Sequence, residues 1–154
     1  MRVIVAVVGK PKQGGVADAI AEYESRAARY WPLDVHEVRE ATGRSRPVAE
    51  AIDEEGARLL ERVPSTARVY ACDPGGASLD SAAFAQVIAA ARDAAEDVAF
   101  VIGGAHGLSP RVRERATRRL SLAPFTLPHE LARLVLAEQI YRAGTIVRGE
   151  PYHK

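Results

Sequence analysis

Alternating strand and helix signals place this chain in the α/β class, as a parallel sheet flanked by helices. Residues 2–8 (RVIVAVV) and 97–102 (DVAFVI) are short apolar runs rich in β-branched side chains, the pattern of strands buried on both faces of a parallel sheet. Between such runs the apolar residues recur with helical period. Glycines gather where strands end, in Cys72-Asp73-Pro74-Gly75-Gly76 and in Gly103-Gly104-Ala105-His106-Gly107-Leu108. There the backbone can take a positive φ or approach a ligand closely.

The elements follow in order. The apolar run after the first residues stops at Gly9 and Lys10. It is too short to cross a membrane, no small-residue cleavage signal follows it, and it is expected to be a buried first strand. Val16, Ile20, Tyr23, Ala27 and Tyr30 share one face of a first helix, with Tyr30 and Trp31 at its buried end. Residues 34–39 (DVHEVR) read as a second strand, and Val48, Ile52, Leu59 and Leu60 as the face of a second helix. Residues 67–72 (ARVYAC) form a third strand and 97–102 a fourth.

Ser109 followed by Pro110 gives a hydroxyl N-cap and a proline in the first turn, so a helix is expected from there to about Arg119. The last helix follows Pro128. Leu131, Leu134, Val135, Leu136, Ala137, Ile140 and Tyr141 make it apolar around most of its circumference, which suits a central core helix or a dimer contact. Five such strand-helix units in 154 residues, without repeats or a linker, predict one domain spanning 1–154, with ligands held in the loops at the carboxyl ends of the strands.

Composition excludes several classes of function. Hydrophobic residues at 47% and charged residues at 27% are ordinary for a folded, water-soluble chain. No run approaches eighteen apolar residues, so no membrane association is expected. Cys72 is the single cysteine; it has no partner for an intramolecular disulfide, no metal-ligand spacing is present, and a cytoplasmic location is expected. The net charge of +1 announces no nucleic-acid binder. The charge is unevenly spread, however. Arg111, Arg113, Arg115, Arg118 and Arg119 crowd one segment, while Asp53, Glu54, Glu55 and Glu61 crowd another.

The glycine-rich loops match no common nucleotide motif. The 103–108 loop lacks the glycine spacing of a dinucleotide fingerprint and does not follow the first strand, and no Gly-Lys-Ser/Thr phosphate loop occurs. No Gly-x-Ser-x-Gly elbow offers a nucleophile for acyl transfer.

A set of separate motifs, in order along the whole chain, carries a family resemblance instead. It comprises Val8-Gly9-Lys10, Ala21-Glu22-Tyr23, Gly103-Gly104-x-x-Gly107-Leu108-Ser109-Pro110, Leu127-Pro128-His129, Arg133, Glu138, Tyr141-Arg142-Ala143 and the terminal Pro151-Tyr152-His153-Lys154. In these the sequence resembles the RlmH-type ribosomal RNA pseudouridine N3-methyltransferases of the SPOUT superfamily. The resemblance implies an α/β fold with a C-terminal trefoil knot and a homodimer. It implies S-adenosylmethionine as methyl donor and a pseudouridine of 23S rRNA as substrate, in the assembled large subunit or ribosome.

It also implies roles for residues. The donor-binding positions carry over to Cys72, Gly103, Leu122, Ala123, Pro124, Phe125, Thr126 and Leu127. Cys72 stands where leucine is common in the family, and Pro74 and Gly76 depart from the loop that follows. Methylating a ring N3 requires loss of its proton and stabilisation of the developing imide anion. Arg142 is the candidate anion stabiliser or phosphate contact, and His153 or Tyr152 the proton acceptor or substrate-positioning group. RNA contacts are expected from the arginines at 111–119, Lys10, Lys12 and Arg148, with His129 either binding RNA or capping its helix and His106 solvated. Two rival readings remain: a SPOUT enzyme acting on another RNA, such as transfer RNA or a ribose 2′-hydroxyl, and a non-catalytic ribosome-associated factor.

Overall fold

A computed structural model describes residues 1–41 and 46–154. Strand β1 (Val3–Val8) is apolar at all six positions and buried at all six, because it runs through the middle of the sheet with helices over both of its faces. Beside it lie β2 (Leu33–Val38), an edge strand, and β4 (Val98–Ile102), buried throughout. β3 (Arg68–Ser78) and a second edge strand, β5 (Arg118–Ser121), complete a parallel five-stranded sheet in the order β2-β1-β4-β3-β5.

Among the described residues five helices cover it: α1 (Gly15–Ala27), α2 (Val48–Leu60), α3 (Ser81–Asp93), α4 (Pro110–Arg115) and α5 (His129–Val147). Alternate residues of a strand point to opposite faces, and β1 divides accordingly. Val3, Val5 and Val7 join Phe84, Ile88, Leu136 and Ile140 in one core, under α3 and α5. Ile4, Ala6 and Val8 join Leu59 and Val112 in the other, under α2 and α4. α5 packs against both α1 and α3. The expected first helix is shorter than its apolar period suggests. It ends at Ala27, and Trp31 reaches the core from the turn beyond, where its indole N–H donates to the Ile140 carbonyl at 3.0 Å.

Two further elements differ from the sequence reading. The helix capped by Ser109 is present, with the Ser109 hydroxyl accepting from the Val112 N–H, but it ends at Arg115 rather than Arg119. Ala116 turns to extended backbone, and β-branched Thr117 docks on β3, its N–H donating to the Val69 carbonyl and its hydroxyl accepting from the Val69 N–H. Arg118 and Arg119 therefore lie on a strand, drawn out of the helix by the open edge of β3.

The second difference is at β3, which does not stop in a glycine turn. It bulges after Cys72 and resumes pairing at Ala77 opposite Leu120. A Cβ on Gly76 would lie 2.6 Å from the Arg119 carbonyl carbon and the Leu120 nitrogen, so this backbone crossing requires a residue without a side chain.

One buried ion cluster ties the helical layer to the sheet. Arg133 of α5 is 6% exposed. Its Nε and Nη2 donate to Glu24 of α1 at 2.7 and 3.1 Å, and its Nη1 donates to Glu37 of β2 at 2.7 Å. Burial by itself would lower the pKa of this guanidinium; the two carboxylates reverse that and hold it above the ordinary arginine value.

Two stability predictions follow from this packing. A Cβ at Gly144 of α5 would fall 2.6 Å from Tyr30 Cβ, so Gly144→Ala should lose about 1–3 kcal/mol in urea unfolding, the usual cost of overpacking. Arg133→Met should cost roughly 3–5 kcal/mol by leaving two carboxylates unpaired. Adding Glu24→Gln and Glu37→Gln should recover most of that loss in the same measurement.

Candidate donor cleft and a separate C-terminal cluster

At the carboxyl ends of β3 and β4 the chain opens a half-open cleft of about 150 Å³. Cys72 and Asp73 of β3 form one side and Ile102, Gly103 and Gly104 another; the segment after β5 and the first turn of α5, with His129 and Ala132, close it. Of the eight residues expected to hold the donor, Cys72, Gly103, Leu122, Ala123, Phe125, Thr126 and Leu127 line this cleft. Pro124 sits on the same segment, exposed and outside the lining. Phe125 stands 77% exposed at the lip.

Local chemistry shapes each wall. The Gly107 N–H donates to the Gly104 carbonyl at 3.1 Å, and Gly107 takes φ +85°, so the 103–108 loop folds back on itself. A Cβ on Gly103 would meet the Gly107 carbonyl oxygen at 2.5 Å; the turn excludes a side chain, and Gly103 offers only backbone to the cleft. The Ser121 hydroxyl donates to the Ala123 carbonyl at 2.8 Å and sets the start of the opposite wall. Burial pushes the Cys72 thiol up to about 12, so it is a neutral packing group rather than a nucleophile.

Asp73 is a cleft residue that the sequence reading did not single out. Its Oδ1 accepts from the Gly75 N–H at 2.9 Å and its Oδ2 from Arg113 Nε at 2.9 Å, with Arg119 Nη1 at 3.9 Å. Burial alone would raise this carboxyl, but the Gly75 N–H and the two guanidiniums outweigh it and hold Asp73 below the usual carboxylate range. The aspartate before Pro-Gly-Gly was the available signal, and it passes for an ordinary turn.

The three expected catalytic residues gather elsewhere. Thirteen residues of α5 separate His129 at the cleft from Arg142, which at 1.5 Å per residue is roughly 20 Å. There Arg142 Nε and Nη2 donate to Glu138 Oε1 at 3.0 and 2.6 Å, and the Tyr152 hydroxyl donates to the same oxygen at 3.0 Å. The Arg142 guanidinium lies 4.6 Å over the Tyr152 ring, and Arg142 Nη1 is 3.4 Å from His153 Nδ1. Tyr152 also packs edge-on against Tyr141 at 4.7 Å. The tail is thus folded onto its own helix. The Glu138 contacts raise the Arg142 pKa, while burial and hydrogen bonds to Tyr23 and Glu138 raise that of Tyr152.

The arginine-rich segment is less available than its sequence suggests. Arg111 pairs with Asp53 at 3.2 Å, Arg113 with Asp73, and Arg115 Nη2 donates to the carbonyls of Pro64, Ser65 and Ala67. Arg118 is exposed and has no ion pair among the described residues. Lys10 is exposed past β1, and His106 is exposed on the glycine loop. Among the described residues no group of three or more His, Cys, Asp and Glu side chains could hold a metal ion, and no helix is long and apolar enough to cross a membrane.

Comparison with known proteins supplies the family. A family model described as "Predicted SPOUT methyltransferase" matches residues 1–153. A protein of Gemmatimonas aurantiaca named "Ribosomal RNA large subunit methyltransferase H" is 62% identical over 154 residues, covering all of both chains. Proteins of the same name from Anaeromyxobacter sp. (strain K) and Nitrobacter winogradskyi are 47% and 42% identical; each match covers all of this chain, and respectively 100% and 99% of the relative. A crystal structure titled only as that of a hypothetical protein superposes with a TM-score of 0.50 at 17% identity, over 96% of this chain and 81% of the other, and shares the fold. With its parallel sheet, its cleft at the strand ends and a family match across nearly its whole length, the chain belongs to the SPOUT methyltransferase family.

Proposed function

We propose that this protein methylates N3 of a pseudouridine in 23S rRNA, within the large subunit or the ribosome, with S-adenosylmethionine as donor. It does so as a single SPOUT methyltransferase domain spanning residues 1–154, acting as a homodimer in the cytoplasm. The name shared by the full-length relatives supports the substrate class. The observation that carries the reading is the division of α5: a cleft lined by the expected donor positions at its N-terminal end and an arginine-tyrosine-histidine cluster roughly 20 Å away at the other. One chain cannot bring those two ends together, and a second copy supplying its tail to the cleft can.

The cleft suits the donor. Adenine needs flat apolar contact plus hydrogen bonds to its edge; Leu122, Leu127 and Ile102 offer the first, and the glycine-rich backbone beside them the second. When bound, the donor supplies a methyl group already activated on a sulfonium. The protein's own tasks are to exclude water and align the ring, with Phe125 at the lip and the 122–127 segment as wall. From the partner, Arg142 stabilises the imide anion or holds a phosphate. His153 accepts the N3 proton, and Tyr152, its hydroxyl donated to Glu138, orients the base. These groups would ready N3 to take the methyl group that the donor supplies. The C-terminal trefoil knot that the family resemblance implies belongs to this reading too.

Calorimetry with S-adenosylmethionine should show binding to the wild-type dimer, and no binding at high micromolar donor would favour a non-catalytic factor. Ribosomes from a strain lacking the gene should gain N3-methylpseudouridine when incubated with protein and donor; a strain that keeps the mark would count against this substrate. Arg142→Ala should lower turnover by about 10²–10³-fold with donor affinity unchanged, as expected for loss of an anion-stabilising group. Mixing Arg142→Ala with a Gly103→Val cleft variant should restore part of the activity that each lacks alone, because mixed dimers regain one intact pairing of cleft and tail.

A further inference from the structure

Glu138 lies one helical turn before Arg142, and a single oxygen of its carboxylate collects three hydrogen bonds from the C-terminal cluster. Arg142 Nε and Nη2 reach Oε1 at 3.0 and 2.6 Å, and the Tyr152 hydroxyl reaches it at 3.0 Å. The other oxygen, Oε2, accepts from Gln139 Nε2 at 2.7 Å. The pair is only 25% and 19% exposed at its two side chains, so it is shielded more than an ordinary surface pair on a helix.

This arrangement has two chemical consequences. An arginine side chain has many rotamers, and fixing both Nε and Nη2 on one acceptor leaves a single edge of the guanidinium free. That edge is Nη1, the atom that faces His153 Nδ1 at 3.4 Å. A phenol that donates to a carboxylate also has its proton committed, so the Tyr152 hydroxyl ties the tail to α5. The tail carrying His153 is thereby held against the helix that carries Arg142.

We propose that Glu138 is a positioning residue for methyl transfer: without touching substrate, it locks Arg142 and Tyr152 into one unit and presents Arg142 Nη1 and His153 to the reacting base. This rests on the reading above, in which the tail cluster serves the reaction in a partner's cleft. The raised ionisation of Tyr152, from burial first and then from Tyr23 and Glu138, agrees with a tyrosine that stays protonated.

The test uses the full-length protein on ribosomes lacking the mark. Glu138→Gln keeps the shape of the side chain and removes its charge. It should lower kcat by about 10–100-fold while leaving donor affinity by calorimetry within about twofold of wild type, since only the tail unit is loosened. Tyr152→Phe should lower kcat through the same unit. The double variant should then fall no more than about threefold below the worse single one, because residues acting as one unit do not add. Thermal melting checks that each variant is folded, and Glu138→Asp serves as a second variant if Glu138→Gln is not. Turnover of a folded Glu138→Gln within twofold of wild type, or losses that multiply in the double variant, would overturn the proposal. Wild-type protein that bound no donor or left ribosomes unmethylated would instead overturn the functional reading, so the two failures are separable.

Discussion

Helix α5, clamped between α1 and α3 and tied to α1 and β2 through Arg133, is the constraint on which the rest of this architecture depends. Its first turn closes the cleft and its last turns anchor the tail, so one rigid rod sets both halves of the candidate site. Gly144 lets α5 approach Tyr30 more closely than any side chain would permit, and Trp31 bonds to its backbone at Ile140. The distance between cleft and tail is therefore a property of the core, and neither loop nor tail can shorten it within one chain.

Much of this was legible in the sequence, for physical reasons that differ by element. β1 and β4 announce themselves because burial on both faces leaves no polar position to blur the run. Ser109-Pro110 marks its helix start because a hydroxyl acceptor and a proline satisfy the same open turn. The end of that helix was not legible: five arginines in ten residues carry no apolar period, and Thr117 turns to β3 only because a strand edge is waiting there. Nor was the length of β3, since Pro74-Gly75-Gly76 has turn composition and continues as a bulged strand only through its pairing with Leu120.

For the candidate site, the motifs named stretches of chain without their geometry. Seven of the eight positions expected to hold a donor come from three separate stretches of chain and meet in one cleft, a convergence that no local pattern encodes. Asp73 and Glu138 escaped role assignment because an acidic residue in a turn or on a helix has many ordinary uses. Their importance lies in the number of donors that each gathers, which only the folded chain displays. The basic segment is more structured than its sequence suggests: Arg111, Arg113 and Arg115 each have a partner within the fold, though Arg111 and Arg113 keep about half of their side chains exposed.

The protonated sulfur of Cys72 bears on how such a cleft endures in a living cell. Peroxides and electrophiles consume thiolates far faster than thiols, and a sulfur that rarely ionises gives them little to attack. A cleft wall built on such a sulfur is a poor target for thiolate-directed chemistry.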